Sequence, residues 1–104
     1  MEANNNNPSG LTSALFIAYR AVMALGYTHQ RLVDGNLGVN YNTLRRIRDG
    51  KAGKPVTDRY FLQLFVSILN QEYNRRVANG GDGAVAVLRD MRKVTLSLLE
   101  IPLE

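Results

Sequence analysis

The chain has 104 residues, of which 45% are hydrophobic and 21% are charged, a size and composition typical of one globular domain. It contains no cysteine and one histidine, which excludes disulfides and thiolate metal sites and argues against a histidine-based metal cage or catalytic dyad. No apolar run approaches the roughly 20 residues that span a bilayer, and the polar N-terminal stretch lacks the features of a secretion signal. We therefore expect a cytoplasmic protein that is not an enzyme and that uses no metal, cofactor, membrane or small-molecule substrate.

The net charge of +4 is concentrated in one segment of the chain. Residues 28–59 contain seven Lys or Arg and three Asp, whereas the remaining residues contain equal numbers of basic and acidic side chains. A localised positive charge is typical of a surface that binds a polyanion. A solvated charged face would give the same count, so charge alone leaves both interpretations open.

Residues 1–10 are polar and rich in asparagine, which predicts a disordered arm. Residues 11–104 predict a single helical domain, because apolar residues recur at helical spacing and no alternating strand pattern competes. The expected fold class is all-α with five helices. Three of these helices have broad apolar faces: the first runs from Leu11 or Thr12 to Leu25, the fourth from Thr57 or Asp58 to about Ala78, and the last from about Ala84 to Glu100.

A short second helix is predicted after the first. Thr28 is a natural N-cap for it, and Asp34-Gly35-Asn36 weakens or ends it, since all three residue types favour turns. The next segment, Leu37-Gly38-Val39, predicts a turn with an apolar anchor on each side of the glycine.

The third predicted helix is also short and carries most of the basic charge. It runs from Tyr41 to about Arg48 with Asn40 as its N-cap, and a basic loop follows at residues 51–56. Helical spacing turns Leu44 and Ile47 inward and places two pairs of side chains outward, namely Asn42 with Arg46 and Tyr41 with Arg45. Arginine can bond to guanine and asparagine to adenine in a major groove, and a tyrosine ring can lie against a thymine methyl group.

With these features the sequence resembles the lambda repressor/Cro (XRE-like) helix-turn-helix family. The resemblance rests on the segments Leu25-Gly26-Tyr27, Thr28-His29-Gln30-Arg31-Leu32, Leu37-Gly38-Val39-Asn40, Thr43-Leu44-x-x-Ile47, Asp49-Gly50-Lys51 and Lys54-Pro55. It departs from the family at Val33, where a small residue is usual, in a turn that is one residue longer, in a longer fourth helix, and in a last helix without a counterpart. The resemblance implies a lambda-repressor-like domain with its helix-turn-helix at residues 28–49.

The family resemblance also implies a function and a set of contact residues. The function is sequence-specific binding of double-stranded DNA by a small transcriptional regulator, with residues 41–48 in the major groove. Base-reading positions fall on Tyr41, Asn42, Arg45 and Arg46, and phosphate-binding positions fall on Thr28, His29, Arg48, Lys51 and Lys54.

The broad apolar surfaces of the first, fourth and last helices exceed what a small monomer should need to cover. They predict a homodimer through the last helix, with Leu88, Met91 and Leu98 at the interface. An alternative function follows from the irregular turn and the same apolar surplus: a helical module that keeps the helix-turn-helix shape but binds a protein instead of DNA.

Overall fold

A computed structural model of the protein describes residues 10–99, and 78% of them are helical. Its five helices are α1 (Gly10–Ala24), α2 (His29–Gly35), α3 (Tyr41–Arg48), α4 (Pro55–Ala78) and α5 (Ala84–Leu99), and residues 10–99 contain no strand. The prediction of an all-α fold with five helices is confirmed. Gly10, assigned to the predicted arm, is instead the first residue of α1; the rest of that arm and the predicted helix end at Glu100 lie outside the described residues.

The three long helices form a bundle, because α1 packs against both α4 and α5, and these two also contact each other. Its centre is apolar and fully buried, with Val22 and Phe65 at 0% exposure. Phe65 makes edge-to-face contacts with Tyr19 and Phe61, at centroid separations of 6.2 and 6.1 Å. Such packing needs no polar partners, so the bundle is stabilised mainly by apolar burial.

The start of α4 differs from the sequence prediction. The helix begins at Pro55 rather than at Thr57 or Asp58, so the basic loop ends at residue 54. Proline suits the first turn of a helix because its φ is already helical and its missing N–H needs no partner there. The Asp58 amide donates to the Lys54 carbonyl at 2.9 Å, which closes this first turn.

The apolar stripe of α5 is largely used within the chain. Its buried residues are Ala84, Val87 and Val94. The three predicted interface residues, Leu88, Met91 and Leu98, are partly buried, and the last two pack against the core. The apolar surplus that motivated the dimer is therefore mostly covered by α1 and α4, and homodimerisation stays a prediction.

The short helix α3 contacts both α1 and α2, and α2 also reaches α1 through His29, which contacts Tyr19. Leu32, Leu44 and Ile47 turn inward and join the core, as the spacing of the last two predicts. Within residues 10–99, no single helix is long and apolar enough to cross a membrane, and only the pair of α1 and α2, bent by 100° at the break, meets that length and composition jointly.

Candidate nucleic-acid interface

Side-chain caps fix the first residues of both short helices. The Thr28 hydroxyl accepts a hydrogen bond from the Arg31 amide at 3.1 Å, and the Asn40 side-chain carbonyl accepts one from the Thr43 amide at 2.9 Å. Both predicted N-caps are confirmed. Each such cap is worth about 1 kcal/mol, which is substantial for helices of one or two turns.

The connection between α2 and α3 is held by a hydrogen bond from the Asn36 side chain and by one buried apolar residue after Gly38. Asn36 donates from its amide nitrogen to the Leu32 carbonyl at 3.0 Å, and Gly38 takes a φ of +83°, which favours glycine. Val39 is buried, but Leu37 is 95% exposed. The prediction of an apolar anchor on each side of Gly38 is therefore right for Val39 and wrong for Leu37.

Tyr41 links the two short helices. Its hydroxyl donates to the side-chain carbonyl of Gln30 on α2, and the Gln30 amide nitrogen donates in turn to an Asp34 carboxylate oxygen at 2.8 Å. Tyr41 is half-buried as a result. The contact sets α3 against α2 at its first residue, so this side chain has a positioning role in addition to the predicted base-reading role.

Asn42 and Arg45 lie on the exposed side of α3, as predicted. They are three residues apart and joined by a hydrogen bond of 2.7 Å, from an Arg45 guanidinium nitrogen to the Asn42 side-chain carbonyl. Arg48, at the end of the helix, pairs with the neighbouring Asp49 at 3.1 Å, and both side chains remain about half exposed, at 51% and 45%. These groups are accessible to a ligand that approaches α3.

Arg46 does not lie in this exposed row, and the outward orientation predicted for it is wrong. One guanidinium nitrogen donates to Asp58 at 2.7 Å and another to the Lys51 carbonyl at 2.8 Å, and the side chain is only 23% exposed. The Asp58 side chain is 2% exposed, and a buried carboxylate needs a cationic partner. The local sequence around Asp58 indicates a helix start, and nothing in it shows that the carboxylate pairs with an arginine twelve residues earlier.

The predicted phosphate-binding residues fall into two groups. Thr28, Lys51 and Lys54 are exposed, and so is Arg48. His29, by contrast, is half-buried, with its Nε2 atom 2.8 Å from the Tyr19 hydroxyl and the two rings in an edge-to-face contact.

The electrostatics around His29 indicate a positive local field. Burial lowers the pKa of its imidazole below the ordinary value, and the positive charges of Arg48 and Arg45 lower it further. The same two arginines that α3 exposes therefore oppose a further positive charge at the start of α2. An anion bound near them would relieve this repulsion.

The accessible charges within residues 28–59 are strongly unequal. Six basic side chains are exposed, against the two exposed carboxylates of Asp34 and Asp49. We call the six the basic set: Arg31, Arg45, Arg48, Lys51, Lys54 and Arg59. Residues 10–99 contain no group of three or more His, Asp or Glu side chains that could hold a metal ion.

Comparison of the chain with protein-family models, with curated proteins and with solved structures finds no significant match.

Proposed function

We propose that this protein binds double-stranded DNA in a sequence-specific manner, through a lambda-repressor-like helix-turn-helix formed by α2 and α3. The observation that carries the proposal is the basic set: six exposed cations, against two exposed carboxylates, on the two short capped helices, the loop after them and the start of α4. DNA is a polyanion whose major groove admits one α-helix. The capped helix α3, with exposed side chains on one side and Leu44 and Ile47 buried on the other, fits that use.

Base reading is assigned to Asn42 and Arg45. Both are exposed on α3 and close enough to bond to each other, so they can reach neighbouring base pairs. Arginine bonds through two donors to guanine, and asparagine matches the donor and acceptor of adenine. Arg46 is removed from this assignment because its donors are used by Asp58 and the Lys51 carbonyl.

Phosphate binding is assigned to Arg48, Lys51 and Lys54. Such contacts set the register of a protein on the duplex but carry no sequence information. Each neutralised phosphate releases counterions and makes the slope of log affinity against log salt concentration more negative by about 0.9; we call the magnitude of this slope the salt slope. We therefore expect a steep salt dependence that falls stepwise as these cations are removed.

The decisive experiment compares Arg45→Ala with Arg92→Ala in a salt series on duplex DNA. Arg92 is exposed on α5, so its removal causes the same change in net charge away from the proposed interface. We expect Arg45→Ala to weaken binding to a selected site by roughly 1–3 kcal/mol and to relax the preference at one base pair. Arg92→Ala should bind like the wild type.

Two outcomes would contradict the proposal. One is the absence of binding by the folded wild-type protein at low salt, and the other is an equal loss for both arginine variants. Light scattering of the same samples tests the predicted homodimer, which would place two half-sites about one helical turn apart.

A protein-interaction module is the second candidate, favoured by one observation. Leu37 is 95% exposed and Val56 77%, and the half-exposed Tyr60 donates its hydroxyl to the Leu37 carbonyl at 3.0 Å. Exposed apolar side chains at such density can mark a partner surface. In that case Leu37→Ser would abolish partner binding and Arg45→Ala would leave it intact.

A further inference from the structure

Three segments of the chain meet at the guanidinium group of Arg46: α3, which carries it, the loop at residues 51–54, and the first turn of α4. Arg46 donates to Asp58 of α4 and to the Lys51 carbonyl of the loop. The second carboxylate oxygen of Asp58 accepts from the Gly53 amide at 3.0 Å. We call this arrangement of Arg46, Gly53 and Asp58 the loop clamp.

Gly53 is needed in the loop clamp for reasons of space. A Cβ atom at this position would lie 2.3 Å from the central guanidinium carbon of Arg46 and 2.5 Å from each of its two terminal nitrogens. Atoms cannot approach so closely, so a side chain at this position would force the guanidinium group of Arg46 to move, which strains its bonds to Asp58 and to the Lys51 carbonyl. The bare backbone of Gly53 therefore forms the surface on which Arg46 rests.

The loop clamp holds the backbone that carries both exposed lysines. Lys51 is fixed through its carbonyl, Gly53 through its amide, and Lys54 through its carbonyl, which accepts from the Asp58 amide. The side chains of Lys51 and Lys54 themselves remain exposed. A loop ordered before binding loses less conformational entropy when it meets its ligand.

We propose that Arg46 and Asp58 are positioning residues, which hold the loop so that Lys51 and Lys54 bind backbone phosphates of DNA. This inference rests on the proposed function and deepens it, since it gives a role to Arg46, the arginine of α3 that is assigned neither to bases nor to phosphates. The helix α3 itself is held by Leu44 and Ile47 in the core. Opening the loop clamp should therefore release the loop and leave α3 in place.

Gly53→Ala tests the inference without changing any charge. The matched control is Gly35→Ala on α2, where a Cβ would meet no atom within 4 Å and the φ is not positive. Both variants of the full chain are measured on duplexes of several sequences over a salt series, with thermal melting to verify the fold. A third protein carries Lys51→Ala with Lys54→Ala, and a fourth adds Gly53→Ala to that pair.

We expect Gly53→Ala to weaken binding about 10-fold on every sequence and to lower the salt slope by up to about 2, the value of two phosphate contacts. In the protein that lacks both lysines, the same substitution should cause no further loss. Gly35→Ala should match the wild type in affinity and slope. If Gly53→Ala only weakened the fold, it would lower the affinity for DNA equally with and without the two lysines.

Asp58→Asn provides a second variant, which is decisive should Gly53→Ala fail to fold. It removes a negative charge, so simple electrostatics predicts tighter binding to DNA. Because it also weakens the bonds to Arg46 and Gly53, the loop clamp predicts weaker binding with a smaller slope. Tighter binding would overturn the inference.

Further outcomes separate failure of the inference from failure of the proposed function. If the wild type binds DNA and Gly53→Ala binds with the same affinity, the loop clamp alone is rejected. The same holds if the loss of affinity caused by Gly53→Ala adds to the loss caused by removing both lysines. A loss that depends on DNA sequence in Arg46→Lys also rejects it, since Arg46 would then read a base. No wild-type binding at low salt rejects both.

Discussion

The three-helix bundle and the pair of short helices differ in what stabilises them. The bundle buries whole aromatic and aliphatic side chains, including Phe61 and Phe65. In contrast, α2 buries one residue and α3 buries two, and their starts are fixed by polar caps. Isolated helices of fewer than about 12 residues are marginal in water, so α2 and α3 depend on these caps and on docking to α1.

This difference separates the part of the domain that supplies stability from the part to which we assign DNA binding. The bundle supplies most of the free energy of folding through apolar area, and polar groups that it buries, such as the Tyr19 hydroxyl and the Asp58 carboxylate, are hydrogen-bonded. The short helices contribute little area, which leaves their outward side chains available to a ligand. We expect the short helices and the loop after them to open locally at lower free energy than the bundle.

The largest effect is expected for Phe65→Ala in the bundle. Phe65 is fully buried and contacts the rings of Tyr19 and Phe61, so the substitution should lower the free energy of unfolding by roughly 3–5 kcal/mol. Because α3 rests on α1, the short helices should unfold together with the bundle. Urea denaturation followed by circular dichroism measures this loss. Val85→Ala, at a 67% exposed position of α5, is the control and should change stability by less than about 0.5 kcal/mol.

A smaller and more local effect is expected for Asn40→Ala. The variant loses the bond to the Thr43 amide and should cost about 1 kcal/mol. If the short helices open locally, amide exchange should accelerate in α3 and stay unchanged in α4. Equal acceleration in both helices would mean that the two regions unfold as one unit.

The smallest effect is a pH dependence from His29. Burial and the charges of Arg48 and Arg45 lower the pKa of its imidazole in the folded protein. As the pH falls, His29 is therefore protonated in the unfolded chain before it is protonated in the folded protein. Its contribution to the free energy of unfolding is fully present above the ordinary pKa near 6.5 and declines below it. The free energy of unfolding, measured by urea denaturation at pH 7.5 and 5.5, should show this decline in the wild type and a smaller decline in His29→Gln. An equal decline in both would assign it to other groups.

Local patterns were sufficient to predict the helices. The bounds of α3 were predicted to the residue, because Asn40 caps its start and Asp49-Gly50 ends it. The start of α4 was missed, since Pro55 disfavours helix before it but is well suited to a first helical position. On α5 the helical spacing of apolar residues predicts the buried side, and within it Val87 and Val94 are more deeply buried than Leu88.

The contacts between elements could not be predicted in this way. Asn42 and Arg45 lie outward because helical spacing determines that side of α3. The same rule failed for Arg46, whose long side chain reaches back to a carboxylate beyond the loop. Its partner depends on how residues 51–54 fold and on where α4 starts, and neither is a local property of the sequence.

The bond between Asn42 and Arg45 has a consequence for selectivity if α3 enters a major groove. In the free protein one guanidinium nitrogen of Arg45 already donates to the Asn42 side-chain carbonyl. Binding to a base pair that offers neither a matching acceptor nor a matching donor would break this hydrogen bond and form no other in its place. The intramolecular bond thus acts as a built-in competitor: it subtracts a similar amount from the affinity of every sequence, and only a site that bonds to both side chains recovers it.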